Sequence, residues 1–115
     1  MPTSPIYPRA DRELVQMRQD LAPDQLGAFQ QFSNQAFAKG TLDVRTKQLI
    51  AVAVAHVTQC PYCIRSHTKA ARKAGASREQ IMEAIWVAAE MRAGAAYAHS
   101  LLALDTMRQE DGKES

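Results

Sequence analysis

Residues 49–57 read Leu-Ile-Ala-Val-Ala-Val-Ala-His-Val, and after Thr58 and Gln59 the chain continues Cys60-Pro61-Tyr62-Cys63-Ile64-Arg65-Ser66-His67. The reading of the first stretch decides the fold. A run this apolar is either a buried strand or a helix buried on every side. Arg45-Thr46-Lys47-Gln48 leads into it with good helix formers, and the element extends from about Asp43 to about Val57, long for a strand. The helical reading is preferred. A helix apolar all round belongs inside a protein or between subunits. This one is too short to span a membrane.

Outward from this element the pattern stays helical. Toward the N-terminus, one helix is predicted over roughly 12–21, stopping before Pro23, and a second over roughly 23–38. Pro23 suits a first helical turn and Gly40 the residue past an end. Leu26, Phe29, Phe32, Ala36 and Phe37 carry the second helix's apolar spacing. Toward the C-terminus, a helix starts at the C-x-x-C and ends at Gly75, a suitable left-handed terminator. Ser77 with Gln80 forms a capping-box signature for a last helix reaching about Met107, with Gly94 marking a bend or a break into two. No stretch alternates with period two between turn signals. The expectation is an all-α bundle of about five to six helices. Residues 1–9 hold three of the five prolines and read as an extended arm; 10–110 read as one domain and 111–115 as a flexible tail.

The chain of 115 residues has a net charge of +2, which carries no nucleic-acid footprint. Lys69, Arg72 and Lys73 cluster where a helix ends, and the helix dipole accounts for cations there. The first residues have neither a basic n-region nor an apolar h-region, so no signal peptide is expected. With no membrane span either, the expected location is the cytoplasm, where thiols stay reduced. The two cysteines then read as catalytic or metal-binding rather than as a structural bridge.

Pro61 fits the first helical position, which makes Cys60 the N-cap and Cys63 the third helical residue. Both sulfurs then lie near unpaired backbone N–H groups and the positive end of the helix dipole, which favours thiolate. His67 follows Cys63 by four residues and Cys60 by seven, so all three share a face. An imidazole there can take a thiol proton and return one to a leaving group. The second thiol can close a disulfide after the first is oxidised to sulfenic acid. Two other readings remain. Cys60, Cys63 and His67 are three of the four ligands zinc wants, though so close along one helix they fit a tetrahedron poorly. Alternatively, the cysteines are structural and the histidine lies on the surface.

Leu49 to Ala55, Cys60 to Thr68 and Ala74 to Ile81 together resemble the AhpD-like alkylhydroperoxidase group of the carboxymuconolactone decarboxylase superfamily, over roughly Thr41 to His99. The resemblance implies an all-α fold with interlocked protomers, as trimers or hexamers. It implies reduction of a peroxide by the dithiol, with Cys63 as the attacking thiol beside His67 and Cys60 as the resolving one. A disulfide substrate and an external thiol reductant fit the same chemistry. No cofactor, metal, nucleic acid or membrane partner is called for. The group's proton relay includes a glutamate twelve residues before the first cysteine; here that position is Gln48, which hydrogen-bonds but does not accept a proton. His56 and His99 are nominated as substitutes, with Glu83 and Glu90 as weaker ones. Trp86 reads as core or interface packing, and Tyr62 as filling space beside the sulfurs. The competing functions are a lactone-decarboxylating lyase, which has no evident use for a dithiol, and a non-enzymatic zinc-binding or redox-sensing module.

Overall fold

Each helix of the protein begins or ends on a local device that its sequence supplies. In the computed structural model, which describes residues 6–114, there are five: α1 (Arg12–Leu21), α2 (Pro23–Phe37), α3 (Val44–Thr58), α4 (Pro61–Lys73) and α5 (Arg78–Glu114). The described residues contain no strand. Asp11 caps α1 by accepting from the Leu14 N–H at 2.9 Å, and Asp43 caps α3 by accepting from Thr46 N–H at 2.7 Å. The Thr46 amide first, with the Thr46 hydroxyl after it, holds the Asp43 carboxyl below its ordinary range. The capping box forms as expected: Gln80 N–H donates to Ser77 Oγ at 3.0 Å, and Ser77 N–H to Gln80 Oε1 at 2.9 Å. α4 ends in a Schellman turn, with Gly75 at φ 96° and bonds from Ala76 N–H to Ala71 O and from Gly75 N–H to Arg72 O.

Three expectations need correction. Gly94 neither ends nor divides the last helix; α5 is one element of 37 residues. A single glycine costs about 1 kcal/mol in a helix interior, too little to break an element whose flanks are strong helix formers. For the same reason α5 passes Met107 and runs to Glu114, so residues 111–114 are helical rather than a tail. Of the N-terminal arm, residues 6–9 are irregular and residues 1–5 lie outside the described residues, as does residue 115. The described helices include none long and apolar enough to cross a membrane.

The sequence reads as one domain over 10–110; the chain divides between Lys47 and Gln48 into two compact units. In the first, α1 and α2 pack together without burying any residue fully. Phe29 and Phe32 meet with ring centroids 6.4 Å apart, yet both stay exposed. Lys47 Nζ donates to Ala38 O at 2.6 Å, which ties the lead-in of α3 to the end of α2.

The second unit holds the core. Val52 from α3, Ala71 from α4, Ala76 from the turn and Ile81 from α5 form one buried cluster, with Leu49 and Ile85 against it. Two of its four members are alanines. The uniformly apolar α3 resolves into two faces. Gln48, Val52 and Ala55 point inward, while Ile50, Val54 and Val57 are exposed. α5 likewise exposes Met82, Trp86, Val87, Met91, Tyr97, Leu101 and Leu104. Trp86 is 68% exposed, so its reading as core within the chain is wrong.

Among the described residues, Val52 is the one large side chain with no exposure at all. Val52→Ala is expected to destabilise the fold by about 2 kcal/mol, from lost burial plus the cavity left behind. Denaturant midpoints at fixed protein concentration check this; no measurable shift would mean that this cluster does not hold the unit together.

Candidate active site

The junction between α3 and α4 places the sulfurs. Gln59 takes φ 58°, the left-handed region where glycine is usual, and Cys60 N–H donates to Ala55 O at 3.2 Å. This is a Schellman turn built on a non-glycine residue. It ends α3 and leaves Cys60 extended, at φ −99° and ψ 105°, as the N-cap of α4. Arg92 of α5 secures the same junction by donating from a guanidinium nitrogen to Val57 O at 2.7 Å. A cation on the last carbonyls of a helix also satisfies its dipole.

As N-cap, Cys60 does with sulfur what serine or aspartate does with oxygen. Its Sγ accepts from Cys63 N–H at 3.3 Å. Foremost among its partners, the Cys63 thiol donates to it and holds the Cys60 thiol below its ordinary range, with the backbone N–H groups of Cys63 and Tyr62 acting in the same direction. The same donation, with burial and the negative sulfur alongside, pushes the Cys63 thiol up. Both cysteines are free and half-buried, so the more acidic sulfur is the one that caps the helix, with the less acidic one beside it.

His67 lies one turn beyond Cys63, half-buried, and its Nδ1 is 2.8 Å from Gln48 Oε1. Gln48 is 8% exposed and reaches this position from the inward face of α3. An amide oxygen only accepts, so in this arrangement Nδ1 carries the proton and Nε2 holds the ring's lone pair. Gln48 therefore stands where the resemblance expects a carboxylate, and fixes the ring and its tautomer without contributing charge.

The other nominated residues do not join this arrangement. His56 Nδ1 is bonded to Val52 O at 2.7 Å, one turn back on its own helix, and His99 Nδ1 to Ala95 O at 2.8 Å. Glu83 and Glu90 are exposed on α5. Tyr62, at the first turn of α4, is 40% exposed. Gln59 and Arg92 take part in placing the sulfurs and were not anticipated. No glycine marks the left-handed position, and Arg92 is 35 residues from Val57. Among the described residues, no three His, Cys, Asp or Glu side chains are grouped to hold a metal ion.

Comparison with known proteins identifies the family. The profile of the carboxymuconolactone decarboxylase family matches residues 23–106. An uncharacterized protein of Paracoccus denitrificans, protein 4 in a cox locus, is 68% identical over 85 residues, spanning 74% of this chain and 77% of that one. The alkyl hydroperoxide reductase AhpD of Mycobacteroides abscessus is 45% identical over 42 residues, which are 36% of this chain and 24% of that one. Among solved structures, the apo form of a carboxymuconolactone decarboxylase family protein from Legionella pneumophila superposes with a TM-score of 0.65 at 32% identity, covering 84% of this chain and 86% of the other. With most of its length matched in sequence and in fold, the chain belongs to the carboxymuconolactone decarboxylase family.

Proposed function

We propose that the protein is a dithiol oxidoreductase that reduces peroxides, with Cys60 and Cys63 as the redox pair and His67 as their proton partner. The observation that carries this reading is a sulfur, Cys60 Sγ, that caps a helix N-terminus by accepting the Cys63 N–H, with a second half-buried free thiol at Cys63 and a histidine held one turn beyond it. The partial likeness to an alkyl hydroperoxide reductase supports it. The Cys60 thiolate attacks the outer oxygen of a hydroperoxide; the O–O bond breaks, the leaving alkoxide takes a proton, and Cys60 becomes a sulfenic acid. Cys63, giving up its proton to His67 Nε2, then attacks the Cys60 sulfur and expels water. One disulfide, one alcohol and one water result from two thiols and one hydroperoxide. This order gives the first attack to Cys60, whereas the family resemblance implies Cys63; the capping geometry favours Cys60. Nothing in the site gives paired sulfurs a part in the decarboxylation for which the family is named.

The exposed apolar residues of α3 and α5 support a homo-oligomer as the working form, since patches of this extent on a lone chain mark an interaction surface. Light scattering on a sizing column is expected to return a multiple of the 12.7 kDa chain mass; a monomer at micromolar concentration would overturn this.

Folded, reduced protein given one equivalent of an organic hydroperoxide is expected to lose both free thiols and gain a Cys60–Cys63 disulfide in its peptide map. Two thiols surviving this treatment would sink the reading. In single-cysteine variants the mutual effect of the two thiols is gone, but the backbone N–H groups still favour a thiolate at 60 and burial still opposes one at 63, so alkylation of Cys63→Ser is expected to stay fast to a lower pH than alkylation of Cys60→Ser. A sulfenic-acid trap should likewise mark Cys60 in the former variant far more than Cys63 in the latter; the reverse restores the order implied by the resemblance. Gln48→Glu gives the His67 imidazolium an opposite charge and is expected to raise peroxide turnover about tenfold. An unchanged rate would show that proton transfer through His67 does not limit the reaction.

A further inference from the structure

The charges of this chain are segregated along it. From Val44 to Arg78 there are seven Lys or Arg residues and no Asp or Glu, while all 12 acidic residues share the remainder with the other seven cations. The dithiol lies inside the cationic segment. On α4 the exposed positions are Tyr62, Arg65, Ser66, Lys69, Arg72 and Lys73, which succeed one another at spacings of three and four and so form one face. That face carries four cations and no anion. Among the described residues the ion pairs are Arg108–Asp105 and Lys113–Glu110, both on α5. Arg72 spends one guanidinium N–H on Ala76 O at 3.1 Å; Arg65, Lys69 and Lys73 make no ion pair among the described residues.

The helix dipole explains Arg72 and Lys73, in the last turn of α4. It does not explain Arg65, which stands two residues after Cys63 in the half of the helix where the dipole opposes a cation. From Arg65 to Lys73 the face extends about 12 Å along the axis, on a convex helix surface. One carboxylate or phosphate cannot span that; an acidic protein surface can. The redox chemistry above also needs an outside source of electrons, since each turnover leaves a disulfide that the chain cannot itself reduce.

Building on the dithiol reading, we propose that the cationic face of α4 docks an acidic, dithiol-bearing protein that reduces the Cys60–Cys63 disulfide. A thiolate of that partner attacks Cys63 Sγ. The Cys60–Cys63 bond breaks, and Cys60 leaves as the thiolate its capping position stabilises. The partner's second thiol then attacks the mixed disulfide, releasing Cys63, which takes up a proton. The partner leaves as a disulfide and this chain as a dithiol. The four cations act before the chemistry, by drawing in and orienting the partner; they are positioning residues.

The test uses the full-length protein, oxidised with diamide so that it does not depend on activity toward peroxides. Two synthetic C-x-x-C peptides of equal length serve as reductants, one flanked by Glu and Asp and one by Lys, each rate normalised to that of the same peptide with an uncharged small disulfide. At low ionic strength the acidic peptide is expected to reduce the protein about tenfold faster than the basic one, and the preference should vanish at high salt. Arg65→Glu with Lys69→Glu should invert it, and the milder Arg65→Gln with Lys69→Gln should abolish it, both without changing the rate with dithiothreitol, which is uncharged. Equal rates for the two peptides, or a preference that survives the charge variants, would overturn the docking face while leaving the peroxide chemistry standing. Tighter binding of a labelled DNA duplex than of the acidic peptide, lost in the same variants, would overturn it in favour of a nucleic-acid face. Thiols that survive hydroperoxide alongside a clear peptide preference would remove the peroxidase reading and keep the dock.

Discussion

The bond from Cys60 N–H to Ala55 O is the constraint on which the rest of the site depends. It closes α3 through a left-handed Gln59 and in doing so leaves Cys60 extended at the start of α4. Cys60 thus terminates one helix with its N–H and begins the next with its sulfur. Were α3 to run on by one turn, Pro61 would fall in its interior, lose its place at a first helical position and break it. Cys63 would then have no free amide to offer and Cys60 no thiol to receive. The proline and the left-handed residue act as a pair: one forbids the continuation and the other supplies the exit.

A second tie fixes the orientation of the imidazole. Gln48 lies on the inward side of α3, among residues that exclude water, and spends its amide oxygen on His67. A buried amide left without that partner would be costly, so the bond benefits fold and site together. A neutral partner keeps the pocket free of a second buried charge, which burial would penalise. The trade is a histidine held in place but not electrostatically assisted.

Much of this was legible in the sequence. The N-cap position of Cys60, the capping box at Ser77 and Gln80, the terminating Gly75 and the helical character of residues 49–57 each follow from contacts within four residues, where local stereochemistry decides. The misreadings concern quantities that no short window contains. Gly94 was given more power to break a helix than one residue has. Trp86 was read as core or interface packing, and the chain presents it outward, which leaves no place for it in the core of the single chain. The part played by Arg92 depends on a separation of 35 residues, and that of Gln59 on a backbone angle its side chain does not announce. His56 and His99 looked like relay candidates by type; each is bonded to a carbonyl of its own helix.

On the dithiol reading proposed above, the attacking sulfur is also the cap of α4, so the redox state of the pair is coupled to the folding of a helix. Oxidation draws the charge off Cys60 and leaves the first N–H groups of α4 without their anionic acceptor. A thermodynamic cycle makes this reciprocal: whatever stability the thiolate lends the helix is lent back to the reduced form of the couple. On that reading, backbone capping sets the reduction potential of the pair in part and shifts it toward the oxidising end. Mutations that touch neither sulfur but loosen the first turn of α4 would retune the protein as an electron acceptor, and the redox state would in turn be readable as the fraying of one helix end.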